Sequence, residues 1–393
     1  MHGQKLWTRN FILISLTNFL THIAFYLLMA TVAMHVIYEY DASQGVAGLT
    51  TGIFVVAALA ARLFTGILIE RAGKKRTLVA GTLLFFLSMV AYYFARSIGM
   101  IIVLRIIQGA AHGIITNTAA SAVVDFIPVR RRGEGIGYYS TFMNIAMAVG
   151  PFLGIWMIQN SSFELIIFVC SMIAFIDLLT MLWLTVPDTD RPVQKNIGAQ
   201  FRLNNLIEPA SVPISVVMFF LTLAYSSLLS FLSLYGEEIN LEKTARYFFL
   251  VYALALIITR PFTGKLFDTR GENAITYPLL VILGIGFILL SQSSGPVSFL
   301  TAAALIGISY GTLQSSFQTI AVKVAKNRTA QATTTFWVAI DSGSGFGPYI
   351  IGTIIGLMSY RTMYLTVGIW IFICIVFYYL AHGRQAAYMK SEN

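Results

Sequence analysis

The chain alternates long apolar stretches with short polar intervals, and twelve such stretches can be marked. They lie at about 11–37, 46–69, 77–95, 99–125, 136–158, 164–186, 211–235, 247–267, 275–293, 296–322, 331–356 and 361–381. A helix needs about 20 apolar residues to cross the bilayer core. Lipid offers backbone groups no water partner, so each stretch is predicted to be a transmembrane helix. The stretches are continuous rather than alternating, which excludes a closed β-barrel.

Composition restricts the class of protein further. Hydrophobic residues make up 57% of the 393 residues and charged residues 11%, whereas soluble domains carry about 25% charged residues. A water-exposed globular protein is therefore excluded. The two cysteines, Cys170 and Cys374, both lie in apolar stretches, so neither a disulfide framework nor a paired-cysteine metal site is expected. We predict no cofactor and no bound metal.

The formal net charge is +9, and its distribution predicts the orientation in the membrane. Of the 26 Lys and Arg residues, most lie at the two termini and in the even-numbered loops. The alternate loops hold only Arg96, Lys243, Arg246 and Arg361. Because Lys and Arg favour the cytoplasmic side, both termini are predicted to be cytoplasmic. A nucleic-acid partner is not expected, since no basic stretch is interleaved with aromatic residues. The first stretch is too long for the apolar core of a signal peptide and is predicted to be retained.

The chain is predicted to consist of two related halves. The longest polar interval, 187–210, lies at the midpoint and separates six helices in 1–186 from six in 211–393. The segment Arg62–Gly66 recurs 198 residues later as Arg260–Gly264, and further pairs follow the same order. These pairs are Glu70 and Asp268, Gly109 and Gly307, Gly113 and Gly311, and Gly150-Pro151 and Gly347-Pro348. Such a repeat is typical of secondary transporters with a midplane site.

Three motifs give the chain a recognisable resemblance. The first is Gly66-x-x-x-Glu70-Arg71-x-Gly73-Lys74-Lys75-Arg76 between helices 2 and 3. The second is Arg105-x-x-Gln108-Gly109 in helix 4, and the third is Gly137-x8-Ala146-x3-Gly150-Pro151-x2-Gly154 in helix 5. Over nearly its whole length the chain resembles a twelve-helix member of the major facilitator superfamily. The third motif is similar to the antiporter motif of the drug-efflux branch, although the family has Gly at Ala146 and Ile155 and Asp at Glu70.

The resemblance implies a cytoplasmic latch between the halves. Glu70 would contact the start of helix 11, whose positive dipole end favours an anion. Asp125 would pair with Lys74 or Arg71. The other residues assigned to the latch or to gating are Gly66, Gly73, Asp268, Gly150 and Pro151. Alternatively, the loop charges of the first motif are only a topology signal.

Two of the helices carry glycines that predict close packing. Gly66 lacks a side chain, so helix 2 can approach a neighbouring helix closely. The Gly150-Pro151 step is expected to bend helix 5 and to let it pack against a helix of the other half. We interpret this step as a hinge or seal near the outer side. A tight helix crossing without a function is the alternative.

Charged side chains inside the bilayer are candidates for function because they are costly there. Arg105, Gln108 and His112 share one face of helix 4 with Thr116. The resemblance implies that Arg105 takes part in proton coupling through its field on a nearby acid. Its counterpart in the second half, Ala303, carries no charge.

Three further residues are candidates for the proton site. Asp341 lies in the middle of helix 11 and ranks first, because a medium of low dielectric constant favours a protonated acid. Asp177 in helix 6 ranks lower, since the resemblance makes that helix peripheral. His22 in helix 1 shares a face with Asn18 and is a candidate for a proton relay or a substrate contact. Structural hydrogen bonding is the alternative for each.

A cavity with aromatic and amide groups is predicted to bind the substrate. The candidate substrate-binding residues are Asn18, His22, Gln108, His112, Asn144, Tyr225, Gln314, Gln318 and Trp337. Aromatic surfaces with few charges suit lipophilic or amphipathic molecules. The alternative substrate is a specific polar metabolite, such as a sugar, a metallophore or an amino-acid derivative, that is exported or taken up by symport.

The sequence therefore predicts a proton-coupled efflux antiporter and not an enzyme. It contains no phosphate loop, no H-E-x-x-H and no G-x-S-x-G motif. A non-transporting receptor or scaffold is a further alternative. The expected partners are a small-molecule substrate, protons and the lipid bilayer. We expect a monomer that crosses a bacterial cytoplasmic membrane many times.

Overall fold

The computed structural model describes residues 6–128, 131–185, 207–325 and 328–384, and these ranges contain twelve long helices and no β-strand. The first six are α1 (Arg9–Tyr40), α2 (Gln44–Ala72), α3 (Lys74–Ala91), α4 (Ile98–Phe126), α5 (Arg132–Asn160) and α6 (Phe163–Trp183). The last six are α7 (Val212–Glu238), α8 (Phe248–Arg270), α9 (Glu272–Ser291), α10 (Pro296–Val324), α11 (Thr329–Ile355) and α12 (Tyr360–Tyr378). The predicted all-helical fold is confirmed.

Ten helices among the described residues are long and apolar enough to cross a membrane. The two helices outside this set are α8 and α11. Their sequences are more polar, because α8 carries Lys265, Asp268 and Arg270, whereas α11 is rich in Gly, Ser and Thr and contains Asp341. The chain is thus a multi-pass membrane protein. Twelve spans and cytoplasmic termini stay predictions.

The chain divides into two compact units. The first contains α1, α3 to α6 and α2 from Leu49 onward, and the second contains α7 to α12 together with Ser43–Gly48. Most of the predicted linker 187–210 lies outside the described residues. At its end a single 3₁₀ turn, Pro209–Ser211, leads directly into α7.

Repeated glycines bring the same pairs of helices together in each unit. On α4, a Cβ atom at Gly109 or Gly113 would overlap the backbone oxygen of Phe54 or Ala58 on α2. In the second unit, Gly307 of α10 lies equally close to the Tyr252 backbone on α8. These contacts are related by the offset of 198 residues found in the sequence. Small residues let membrane helices pack backbone to backbone, so the repeat preserves a packing contact.

The glycines of α5 pack against α1, which belongs to the same unit. A Cβ atom at Gly150 would lie 2.6 Å from the Tyr26 Cβ atom, and one at Gly154 would lie 2.7 Å from the Leu27 backbone oxygen. The glycines of α5 therefore pack within the first unit, and the predicted contact of helix 5 with the other half stays a prediction. The alternative prediction, a tight helix crossing, describes the contact between α5 and α1. In the second unit, Gly343 of α11 lies in the same way against the Phe219 backbone oxygen of α7.

The close packing predicted at Gly66 is not seen among the described residues. A Cβ atom built there would meet no described atom within 4 Å. Gly73, in contrast, has a defined backbone role because its φ of +80° lies in the region that favours glycine. It joins α2 to α3, and Gly271, 198 residues later, joins α8 to α9 with a φ of +85°.

We predict that Gly109→Ala destabilises the protein, whereas Gly66→Ala does not. The added methyl group at Gly109 would overlap the Phe54 backbone, and overpacking of this kind costs about 1–3 kcal/mol. Thermal unfolding of the purified protein in detergent would measure the difference. Equal unfolding temperatures for Gly109→Ala and the Gly66→Ala control would contradict the packing described.

Candidate functional site

Arg105 is fully buried in the first unit and is held by hydrogen bonds. Its Nε atom donates to the Thr50 backbone oxygen at 3.0 Å, and a terminal nitrogen donates to the Thr51 backbone oxygen at 3.4 Å. The other terminal nitrogen donates to Gln108 Oε1 at 2.9 Å. The guanidinium carbon also lies 4.4 Å from the centre of the Phe54 ring, within cation–π distance. Arg105 therefore ties α4 to the start of α2.

No carboxylate in the described ranges forms an ion pair with Arg105. The sequence predicted an acid close to this cation. The structure instead surrounds the positive charge with two backbone oxygens, an amide oxygen and an aromatic face. These oxygens accept from three of the five guanidinium N–H groups, so that each nitrogen has a partner without a countercharge.

Both ends of the Gln108 amide have partners inside the unit. Its oxygen accepts from Arg105 and from the Tyr92 hydroxyl at 3.4 Å, while its nitrogen lies 2.8 Å from the Met89 sulfur. The side chain is fully buried. In this structure Gln108 positions Arg105, and its polar atoms are already used.

His112 lies one turn further along the same face of α4 and is surrounded by rings. Its ring centre is 5.1 Å from those of His22 and Phe25 and 5.2 Å from that of Phe54. Phe85 completes the group at 6.4 Å. We call these five residues the first aromatic cluster.

The imidazole of His112 is buried without a hydrogen bond. The residue is 3% exposed, and neither ring nitrogen has a partner within the described part of the chain. A buried polar atom without a partner is costly. A ligand group that forms a hydrogen bond to one of these two nitrogens would therefore remove part of this cost.

Asn18 and His22 lie one turn apart on α1. The Asn18 side-chain nitrogen donates to the Tyr139 backbone oxygen at 2.9 Å, which links α1 to α5. His22 Nδ1 lies 2.7 Å from the Asn18 backbone oxygen and is the donor of that bond. In the neutral ring the Nε2 atom is then the acceptor. Sequence reasoning placed these two residues on one face, and the structure brings His22 to His112.

The second unit repeats the cluster with different chemistry. His112 corresponds to Tyr310, and Phe54 corresponds to Tyr252, both 198 residues later. The Tyr225 ring stacks on Tyr310 at 4.0 Å and lies 5.8 Å from Tyr252. The Tyr310 hydroxyl donates to the Thr222 hydroxyl at 3.2 Å. These four residues form the second aromatic cluster, which has no imidazole.

Among the other candidates in the second unit, two amides on α10 stand out. Gln314 and Gln318 are one turn apart and half-buried, and neither has a hydrogen bond among the described residues. Trp337 on α11 is half-buried with its ring centre 6.5 Å from that of Phe336. The side chain of Asn144 lies outside the described residues.

The two acidic candidates differ in environment. Asp341 on α11 is half-buried. Asp177 on α6 is 1% exposed and accepts a hydrogen bond from the Thr21 hydroxyl at 2.7 Å. The structure brings Asp177 to α1, but it does not place it in the first aromatic cluster.

The residues assigned to the latch include one ion pair. Lys74 Nζ lies 2.5 Å from Asp125 Oδ2 and also donates to the Ser121 backbone oxygen at 3.1 Å. Glu70 and Arg71 are exposed. The side chain of Asp268 lies outside the described residues.

An ion pair of reversed charge occupies the equivalent place in the second unit. Glu272 and Lys323 correspond to Lys74 and Asp125 at the offset of 198 residues. Lys323 Nζ lies 2.6 Å from Glu272 Oε1, and His382 contacts the other carboxylate oxygen. Both pairs join the beginning of one helix to the end of the next.

Several residues of the site were missed by sequence reasoning. Phe54, Phe85 and Tyr92 are apolar or aromatic and look like ordinary lipid-facing or core positions. The offset of 198 residues, applied to His112 and Lys74, identifies Tyr310 and Glu272. Nothing in the sequence singled out the threonines around Asp177, because a hydroxyl on a membrane helix is commonly bonded to the backbone of its own helix.

Comparisons with known proteins agree with this geometry. The family model described as Major Facilitator Superfamily matches residues 14–348. A staphylopine export protein of Staphylococcus aureus is 23% identical over 361 residues, which cover 87% of this chain and 89% of that protein. The multidrug resistance protein MdtG of Enterobacter lignolyticus is 26% identical over 395 residues, with 97% and 94% covered.

Solved structures share the fold. A bacterial homologue of the human lysosomal transporter Spinster has a TM-score of 0.76 at 16% identity, with 94% of this chain and 96% of that chain covered. The nucleoside transporter NupG has a TM-score of 0.74 at 12% identity, with 94% and 98% covered. At these identities the likeness concerns the fold alone.

We predict that exchanging the charges of the first ion pair is tolerated, although each single change is not. Lys74→Glu or Asp125→Lys alone would place like charges together and lower the unfolding temperature. The double variant would recover most of the loss, because the second unit uses that order of charges. The pair is partly exposed, so a coupling of about 0.5–1 kcal/mol is expected. Lys75→Glu changes the charge of an exposed residue that has no ion-pair partner among the described residues, and it is the control in thermal unfolding.

Arg105→Lys is predicted to destabilise the first unit strongly. A single ammonium group cannot reach the three acceptors that the guanidinium bonds, and each lost hydrogen bond from a charged donor costs about 1.5–3 kcal/mol. The exposed Arg96→Lys change is the matched control. Thermal unfolding is the measurement, and an Arg105→Lys protein as stable as the control would show that the hydrogen bonds described are unimportant.

Proposed function

The chain belongs to the major facilitator superfamily, and from this premise we propose that it is a proton-coupled exporter of small lipophilic or amphipathic molecules. It is a transporter and not an enzyme. The observation that carries the proposal is the unpaired imidazole of His112 inside the first aromatic cluster. Export would proceed by alternating access, as the resemblance implies.

The chemistry of the two clusters supports a lipophilic substrate. Ring faces offer apolar contact and attract organic cations, while His112 offers one hydrogen bond to a polar group. The clusters contain no carboxylate and no Lys or Arg. A molecule with a flat apolar part and a single polar or cationic group fits this set of side chains.

Proton coupling is the proposed source of energy. One proton moving down the membrane potential releases about 2.3 kcal/mol per 100 mV, which corresponds to an equilibrium concentration ratio of about 50. Asp341 and His22 are the proposed exchange groups near the substrate, with Arg105 as the fixed positive charge. No phosphate-loop motif for nucleotide hydrolysis occurs in the chain.

The remaining motif residues are proposed to gate the cycle. Glu70, Arg71 and Asp268 would form the cytoplasmic latch. The ion pair of Lys74 and Asp125 would stabilise the turn between α2 and α3. Gly150-Pro151 would act where α5 crosses α1. We further propose that the protein is a monomer in a bacterial cytoplasmic membrane, as expected for relatives of the MdtG type.

A second candidate function is export of one specific polar metabolite. The observation that favours it is the pair of half-buried amides, Gln314 and Gln318, which have no hydrogen bonds in the described part of the chain. Amides of this kind suit hydroxyl, amine or carboxylate groups of a polar substrate. A relative at 23% identity is named as an exporter of one compound, staphylopine, which supports this second candidate.

The proposed function predicts that a lipophilic cation releases protons from the purified protein. Ethidium added to the protein in weakly buffered detergent should acidify the solution, and a proton gradient should drive its movement in proteoliposomes. Asp341→Asn and His22→Ala should each reduce the proton release, whereas the exposed Glu39→Gln change should not. Saturating ethidium without proton release would contradict coupling.

The same preparation separates the two candidate functions. Gln314→Leu should leave ethidium binding nearly unchanged if the substrate is lipophilic, whereas His112→Phe should weaken it, because the aromatic surface remains but its polar atoms are lost. Failure of ethidium and other lipophilic cations to bind at all would favour the polar metabolite.

A further inference from the structure

A carboxylic acid is enclosed between α1 and α6, away from the first aromatic cluster. Asp177 of α6 is 1% exposed, and its Oδ2 atom accepts from the Thr21 hydroxyl at 2.7 Å. Thr21 belongs to α1, and it is itself fully buried. The acid is therefore bound across a helix interface and not by its own helix alone.

Two more hydroxyl groups complete the surroundings of the acid. Thr180 Oγ1 lies 3.4 Å from Asp177 Oδ1 and donates to the Asp177 backbone oxygen at 2.7 Å. Thr17 Oγ1 lies 3.3 Å from Thr180 Oγ1. We call Asp177, Thr17, Thr21 and Thr180 the hydroxyl site.

No cation balances the carboxylate within the described ranges. The elements that pack on α6 are α1, α3, α5 and the 3₁₀ turn Tyr92–Phe94, and none of the charged or titratable side chains described on them or on α6 bonds to Asp177. Those side chains are Arg9, His22, Tyr26, His35, Tyr38, Glu39 and Tyr40 on α1, Lys74, Lys75 and Arg76 on α3, Glu134, Tyr138 and Tyr139 on α5, Tyr92 and Tyr93 on the 3₁₀ turn, and Glu164 and Cys170 on α6. The side chain of Arg132 on α5 lies outside the described residues. An ionised carboxylate would thus be buried without a countercharge.

Burial and the few hydrogen bonds to the carboxyl group favour the protonated acid. Thr21 donates to Oδ2, whereas the Thr180 hydroxyl has one proton for both the Asp177 backbone oxygen at 2.7 Å and Oδ1 at 3.4 Å. Oδ1 therefore receives only a long hydrogen bond. An ionised Asp177 would carry the cost of a buried charge with one short hydrogen bond to its oxygens.

We propose that Asp177 is a second proton-binding site of the transporter, bound by the threonine hydroxyls of the hydroxyl site and separate from the substrate-binding residues. This inference rests on the proposed function only where it concerns coupling to transport. The site is not repeated in the second unit, because the residue at the offset of 198 from Asp177 is Ile375.

Proton occupancy at this site would act on the substrate-binding residues through α1. Thr17 and Thr21 face α6, whereas Asn18 and His22 follow them in sequence and contact α5 and α4. Loss of the proton would leave a buried anion, which water or further hydrogen-bond donors would stabilise. The interface of α1 and α6 would then open more easily, and α1 would move His22 relative to His112.

Infrared spectroscopy of the purified full-length protein tests the site without any substrate. Difference spectra between acidic and alkaline pH should contain the C=O stretching band of a protonated carboxylic acid. Asp177→Asn should remove one component of this band, whereas Asp341→Asn should leave that component in place. Spectra of the wild type and of Asp177→Asn that match would overturn the proposal.

Matched changes at Thr21 test the hydroxyl contact. Thr21→Val removes the donor that favours the ionised form, so the pH at which the Asp177 component disappears should rise. Thr21→Ser keeps the hydroxyl and should leave that pH close to the wild-type value. An equal response of both variants would overturn the role of the hydroxyl. Loss of the component on adding Na⁺ at constant pH would identify a sodium site and also overturn the proposal.

Transport in proteoliposomes then tests the coupling. Asp177→Asn should still exchange ethidium across the membrane without a gradient, but a proton gradient should accumulate severalfold less of it than in the wild type. If the wild type does not transport ethidium at all, the proposed function fails, while the infrared result still decides whether Asp177 binds a proton. Wild-type accumulation by Asp177→Asn would overturn the coupling role.

Discussion

The absence of water in the bilayer core is the constraint on which this structure depends. Every polar group that enters the core needs a partner within the protein. Arg105 satisfies its donors with backbone oxygens and Gln108, and Asn18 uses its amide to join α1 to α5. Polar side chains therefore connect helices in this protein. A buried polar group without a partner among the described residues, such as the imidazole of His112, is costly under the same constraint and is for that reason a candidate for ligand binding.

The two units satisfy this constraint with the same packing and different chemistry. Glycine contacts at the same offset bring α4 onto α2 and α10 onto α8. At the positions of Arg105, Gln108 and His112, the second unit has Ala303, Ile306 and Tyr310. The repeat itself therefore does not require these polar groups, although in the first unit Arg105 stabilises the contact between α4 and α2.

The sequence was sufficient for the fold and for only part of the site. Long apolar stretches and the offset of 198 residues identified the helices and the repeated glycines, because both follow from helix length and backbone contact. Which neighbour a side chain contacts depends on how its helix is rotated about its own axis. The length of an apolar stretch does not determine this rotation. For this reason the contact of Gly150 with Tyr26 on α1 was not predicted, and the acid expected beside Arg105 was absent among the described ion pairs.

The same limitation explains the low rank of Asp177 in the sequence analysis. Asp177 ranked lower as a proton site because the resemblance makes helix 6 peripheral, but peripheral position and burial are different properties. Asp177 faces α1 and not the lipid, and three hydroxyl groups surround it where the second unit has an apolar residue, Ile375. A proton held at a helix interface changes how easily the two helices separate. Such a site acts on transport through α1 and does not need to contact the substrate.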